Sequence, residues 1–141
     1  MVTVEYVHAL NYMYDEIMGR QFPKLLLTLV NPKNLDVAIE TDAYLDTGAE
    51  RSIFKADLAP ALDLVFDSGL RMPYGSIIPG GGGYARIHRV ILSHPDLGQF
   101  PLDIGFAEGP HGRNLLGRDF FNLMQIGFRE NQQIFYVTMA P

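Results

Sequence analysis

An apolar, strand-like run ending in a carboxylate, a hydroxyl and a glycine constrains this chain more than any other feature. Ala43-Tyr44-Leu45-Asp46-Thr47-Gly48-Ala49 sets Asp46 at the end of such a run, where solvation is poor. A plain turn is one explanation, because Asp hydrogen-bonds its own backbone and Gly accepts positive φ. A turn alone does not require the second element, Leu115-Leu116-Gly117-Arg118-Asp119, whose Gly117 stands 71 positions after Asp46.

Most of the chain between and around these elements reads as strand. Leu25 to Val30 and Val37 to Leu45 flank the turn residues Asn31-Pro32-Lys33-Asn34, which predicts a hairpin that delivers Asp46 to a loop. Ser52-Ile53-Phe54 resumes extended structure, and a short helical turn is expected around Pro60. Arg71 to Ile78 and Tyr84 to Leu92 form two arms about Pro79-Gly80-Gly81-Gly82-Gly83, a hairpin with a glycine tip. Phe100 to Phe106 is another strand, followed by a turn at Gly109-Pro110-His111-Gly112 and a short strand at Asn114-Leu115-Leu116. Asp119 is placed to cap a helix over Phe120 to Gln125, and Ile126 to Phe128 with Ile134 to Met139 closes the chain as a hairpin. At the N-terminus, Val2, Val4 and Tyr6 alternate like a strand, and Ala9 to Met18 has loosely helical spacing. Strands dominate, so the fold class is all-β, with a small closed barrel and one short C-terminal helix.

Composition narrows the function classes. With 141 residues the chain has room for one core. Hydrophobic residues make up 48% and charged residues 19%, lean enough in charge that a partner subunit is expected to cover some apolar surface. Eleven basic side chains face 16 acidic ones, net -5, without a Lys/Arg cluster, which argues against nucleic acid. The longest uncharged stretch, 14 residues between Arg71 and Arg86, is broken by Pro and Gly, so no membrane span is expected. Cysteine is absent, which removes disulfide and thiol chemistry, and the N-terminus lacks a signal-peptide pattern. A cytoplasmic protein is the expectation.

Asp46-Thr47-Gly48-Ala49 followed by Leu115-Leu116-Gly117-Arg118-Asp119 resembles the retropepsin family of aspartic proteases, the retroviral-type enzymes and their cellular and bacterial relatives. The resemblance spans roughly residues 22 to 135. It implies a retropepsin-like barrel over 22–141, with residues 1–21 an N-terminal extension that is a dimer arm or a pro-segment. It also implies that Asp46 is the catalytic aspartate, that the Thr47 hydroxyl locks two loops across a dyad, and that Gly48 lets backbone approach carboxylate and substrate. Ala49 and Glu50 follow on the substrate side. Gly117 and Arg118, with Ser52, are expected to support the loop, and a Glu50–Arg118 ion pair is expected to brace it. No cofactor and no metal is implied.

The chemistry itself demands a second copy. Peptide hydrolysis by two carboxylates needs one to deprotonate water while the other donates a proton to the carbonyl. Two aspartates held close share one proton and titrate as a unit. One chain offers a single Asp-Thr-Gly, so the partner must come from an identical molecule across a two-fold axis. The expected partners are therefore a second copy and a peptide or protein substrate.

The glycine run admits several readings. Gly80 to Ala85 formally satisfies the weak dinucleotide fingerprint, but that motif opens a helix and Tyr84-Ala85-Arg86-Ile87-His88 alternates like a strand. A flexible hairpin tip is the plain alternative. By resemblance the run is the flap, a mobile hairpin that closes over substrate, open without it because ordering four glycines is entropically costly. Pro79 departs from the family pattern, and Ile77, Ile78 and Ile87 suggest apolar subsites. His8, His88, His94 and His111 show no metal-ligand spacing, and Ser52 and Ser76 sit in no nucleophile elbow. A noncatalytic dimerisation or peptide-binding module on the same fold is the rival reading.

Overall fold

A computed structural model describes residues 3–75 and 80–139. In chain order the strands are β1 (His8–Asn11), β2 (Met13–Asp15), β3 (Arg20–Phe22), β4 (Lys24–Asn31), β5 (Asn34–Leu45), β6 (Ile53–Phe54), β7 (Leu70–Tyr74), β8 (Gly83–His94), β9 (Gly98–Ala107), β10 (Leu115–Leu116), β11 (Met124–Arg129) and β12 (Ile134–Met139). One-turn helices α1 (Leu58–Ala61) and α2 (Arg118–Phe121) interrupt them. Among the described residues strand accounts for 55% and helix for 11%, the latter counting two 3-10 turns at Phe66–Ser68 and Glu130–Gln132, so the structure is mostly β as expected.

The main sheet runs β4-β5-β10-β6-β9-β8-β7, and β4 also pairs with β8 through Thr28↔Ser93, Leu29↔Leu92 and Val30↔Ile91. The succession of pairings that starts at β4 thus returns to it, with β7 left as the outer member. Period-2 alternation accounts for the packing: Leu25, Leu27 and Leu29 of β4 point inward at 2%, 1% and 0% exposure, while Leu26 between them is 44% exposed. Phe54, Phe106, Phe120 and Phe135 fill the same core, and each buried side chain of this size contributes about 1.5–3 kcal/mol. The β4–β5 turn is fastened by Asn31, whose side chain accepts the Lys33 N–H at 2.8 Å and donates to the Leu62 carbonyl at 2.7 Å. Among the described residues no helix is long and apolar enough to cross a membrane.

Two expected helices are corrected. Ala9 to Met18 is not helical: β1 adds antiparallel to β12, and β2 and β3 form a hairpin. Its turn is built by Asp15, which accepts the N–H groups of Ile17 and Met18 at 2.9 and 3.1 Å, and by Gly19 at φ 69°. Backbone pairing with a distant strand and a left-handed turn residue override a weak helical pattern. The N-terminal alternation does not form a strand either, since residues 3–7 have no regular structure and Val2 lies outside the described residues. The C-terminal helix covers Arg118–Phe121 and not 120–125, because Met124 and Gln125 already pair with Met139 and Thr138.

Candidate active site

The Asp46 loop and the Gly117 loop are assembled side by side by sheet pairing. β10 lies parallel to the end of β5, Leu115 opposite Tyr44 and Leu116 opposite Leu45, and antiparallel to β6 at Ile53. The chain therefore leaves the sheet at Asp46 with β10 alongside it. The Asp46 N–H donates to the Leu116 carbonyl at 2.9 Å, and the Arg118 N–H donates to the Ala49 carbonyl at 2.8 Å. Within the loop, the Gly48 N–H donates to Asp46 Oδ1 at 2.9 Å, and the Ala49 N–H to the Asp46 carbonyl at 3.2 Å. A Cβ on Gly117 would stand 2.7 Å from the Ala49 oxygen and from the Arg51 carbonyl carbon, so this crossing accepts glycine alone.

Beneath the loop lies a small buried network. Ser52, 0% exposed, donates its N–H to both Asp119 carboxylate oxygens at 3.0 Å and its hydroxyl to Asp119 Oδ1 at 2.7 Å. The same hydroxyl accepts the Gly117 N–H at 3.1 Å. Asn114, 4% exposed, ties the neighbouring strands: it donates to the Thr41 hydroxyl at 2.9 Å and the Asp42 carbonyl at 3.0 Å, and accepts the Lys55 N–H at 2.9 Å.

Asp46 is half-buried and opens into a cleft of about 1300 Å³, whose wall also includes Gly48, Ala49, Glu50, Gly82 and Arg118. The β7 arm from Met72 to Gly75 forms one side, and the turn from Pro110 to Arg113 forms another. Thr47 is exposed at the loop's outer end, Gly80 and Gly81 are exposed near the tip of the β7–β8 hairpin, and Gly83 is opposite Tyr74. Gly82, at φ 85°, would push a Cβ to 2.5 Å from the Tyr74 oxygen. Ser76, Ile77, Ile78 and Pro79 lie outside the described residues.

The expected Glu50–Arg118 brace is not present: both side chains are exposed, and among the described residues no ion pair joins them. Backbone bonding of Arg118 and the Asp119–Ser52 network hold the loop instead. Asp119 is thus an anchor between loops and not a helix cap, the N-cap position belonging to Gly117. His111, read from the sequence as one of four scattered surface histidines, packs its ring edge-on against Tyr74 at 6.1 Å, and its Nε2 is buried with no partner among the described residues. Burial lowers its pKa, and the positive charges of Arg113 and Lys55 lower it further. Asp119 followed a recognisable glycine and arginine; no local signal marked Asn114 or His111. Among the described residues, no three His, Asp or Glu side chains are gathered as a metal site would require.

Similarity to known proteins is legible in the fold. The chain is similar to a crystal structure of a retropepsin-like aspartic protease from Rickettsia conorii, with a TM-score of 0.64 and 98% of each chain covered. The fold is retropepsin-like. Sequence identity to that protein is 13%, and neither a protein-family model nor a curated protein matches the sequence.

Proposed function

We propose that the chain is an aspartic endopeptidase whose catalytic dyad is formed by Asp46 from each of two identical subunits, on a closed retropepsin-like barrel with the β7–β8 hairpin as its flap. The observation that carries this reading is the position of Asp46: half-buried, at the end of β5, in the wall of a 1300 Å³ cleft that the hairpin borders. The chemistry follows from two carboxylates sharing one proton. The ionised one takes a proton from water as the water oxygen bonds to the scissile carbonyl carbon, and the protonated one donates to the carbonyl oxygen. Collapse of that tetrahedral species breaks the C–N bond as the carboxyl that took the water proton gives it to the leaving nitrogen. The other carboxylate takes a proton from a hydroxyl of the diol, which restores the singly protonated pair. Thr47, exposed beside Asp46, is free to reach across the dyad, and Gly48 leaves room for an extended peptide backbone.

Cleavage of a proteome-derived peptide library by wild type and Asp46→Asn, at mildly acidic and neutral pH, tests the proposal, with assembly followed by sedimentation. The expected result is a dimer whose turnover falls by about 10²–10⁴-fold on substitution. Equal activity of the two proteins overturns it, and a dimer that binds peptide without cutting it is the noncatalytic module instead.

A further inference from the structure

The cleft wall carries four arginines, Arg51, Arg89, Arg113 and Arg118, and four carboxylates, Asp46, Glu50, Asp103 and Asp119. Away from the Asp46 loop, Arg71 and Arg86 both bind Glu108, at 2.8 and 3.2 Å. At the cleft, Arg89 holds Asp103 through two bonds of 2.9 and 3.1 Å, and Asp119 is taken by Ser52. Arg51, Arg113 and Arg118 also line the cleft, yet none has a carboxylate within ion-pair distance among the described residues. Opposing them are Glu50 and, on the proposed reading, an Asp46 that shares its charge with a proton. Within a chain of net -5, the cleft wall is close to charge balance, with Arg51, Arg113 and Arg118 left without an ion-pair partner among the described residues.

Arg113 is the best prepared of these groups. Its guanidinium carbon lies over the Tyr44 ring at 5.1 Å from the centroid, and its N–H groups have no hydrogen-bond partner among the described residues. Glu108, five positions before it, is engaged by Arg71 and Arg86, and Asp42 by Lys24 at 3.0 Å. The charges that bear on the neighbouring His111 are those of Arg113 and Lys55, both positive. A guanidinium over an aromatic ring, with free edges and no carboxylate within ion-pair distance among the described residues, is placed to receive a carboxylate through two parallel hydrogen bonds.

We infer that the cleft recognises acidic peptides, with Arg113 on its Tyr44 platform reading a Glu or Asp side chain of the bound segment. This rests on the proposed peptide-binding role of the cleft and names its substrate class. Recognition is separable from turnover, so it is measured on the Asp46→Asn protein with two dye-labelled peptide pools, randomised at apolar positions and carrying either Glu or Gln at fixed positions. The Glu pool is expected to bind about tenfold more tightly, the size of one charge-assisted hydrogen bond, with the advantage shrinking at high salt. Adding Arg113→Gln is expected to bring the ratio near one, and Arg113→Glu to turn preference toward a Lys pool. Equal binding of the Glu and Gln pools, a ratio that survives Arg113→Gln, or no measurable binding of either pool overturns the inference. Wild-type cleavage of both pools at equal rate would leave the hydrolase standing and the acidic preference lost. The expected binding ratio with no cleavage would do the reverse.

Discussion

Asp119 accepts both the backbone N–H and the hydroxyl of Ser52, at 3.0 and 2.7 Å, across 67 residues of chain. That contact fastens the far end of the Asp46 loop to the first turn of α2. Without it, the fully buried Ser52 N–H and hydroxyl would have no acceptor.

Asp119→Ala is expected to lower the unfolding free energy by about 2–3 kcal/mol, since a charge-assisted bond is removed and a buried donor is stranded. Asp119→Asn, which keeps one acceptor oxygen, should cost less. Urea unfolding of the two variants decides it, and an unchanged midpoint for Asp119→Ala would show that the network contributes nothing.

At Gly117 the constraint is steric. Alanine there meets backbone atoms of Ala49 and Arg51 at 2.7 Å, and backbone yields less easily than a side-chain tip. Overpacking of this kind costs about 1–3 kcal/mol. Gly117→Ala is expected to melt earlier than wild type and to shift the amide resonances of residues 46 to 52. A variant with wild-type melting and spectrum would refute the tight crossing of the two loops.

The hairpin makes a different demand at Gly82. Its φ of 85° disfavours any side chain, and a methyl group there would lie 2.5 Å from the Tyr74 oxygen, so both exclude alanine. Gly82→Ala is therefore expected to lower stability by about 1 kcal/mol or more, the strain falling on the hairpin so that the β7 amides exchange faster with solvent. Unchanged exchange at residues 71 to 74 would mean that the glycine does not define the hairpin's geometry.

Two imidazoles give the fold an acid sensitivity. Burial lowers the pKa of His111, reinforced by Arg113 and Lys55, and burial also lowers that of His94, where Asp96 opposes it. Below the ordinary imidazole value of about 6.5 the unfolded chain then binds protons that the folded chain resists. Their neutral state is therefore fully compatible with folding above that pH, and stability falls as pH drops through it. His111→Phe keeps an aromatic ring against Tyr74 and is expected to flatten the melting temperature between pH 7.5 and 5. Parallel curves for wild type and variant would exclude His111 as the source.

Legibility in the sequence followed the range of the interactions. The hairpin of β4 and β5 was readable because Leu25, Leu27 and Leu29 alternate locally and Asn31 to Asn34 carries its own turn chemistry. The Asp46 and Gly117 loops were readable as a pair only through the resemblance of their two motifs to the retropepsin family. The helix expected over residues 9–18 failed since its spacing was weak and a distant strand, β12, competed for the same backbone. The Glu50–Arg118 brace failed for a related reason: matching charges in sequence do not fix where two long side chains point.

The residues by themselves determined the strand class and the β4–β5 hairpin, because alternation and turn chemistry are local properties; that the Asp46 and Gly117 elements belong together was implied by the resemblance of their motifs to the retropepsin family. Tertiary structure alone decided that Ser52 is held by Asp119, that Asn114 ties three strands, and that Arg113 rests on Tyr44 with its edges free. Those partners stand 67, 72 and 69 positions apart. Only pairing of β10 between β5 and β6 brings them within reach, and a hydrogen bond acts over about 3 Å whatever the separation along the chain.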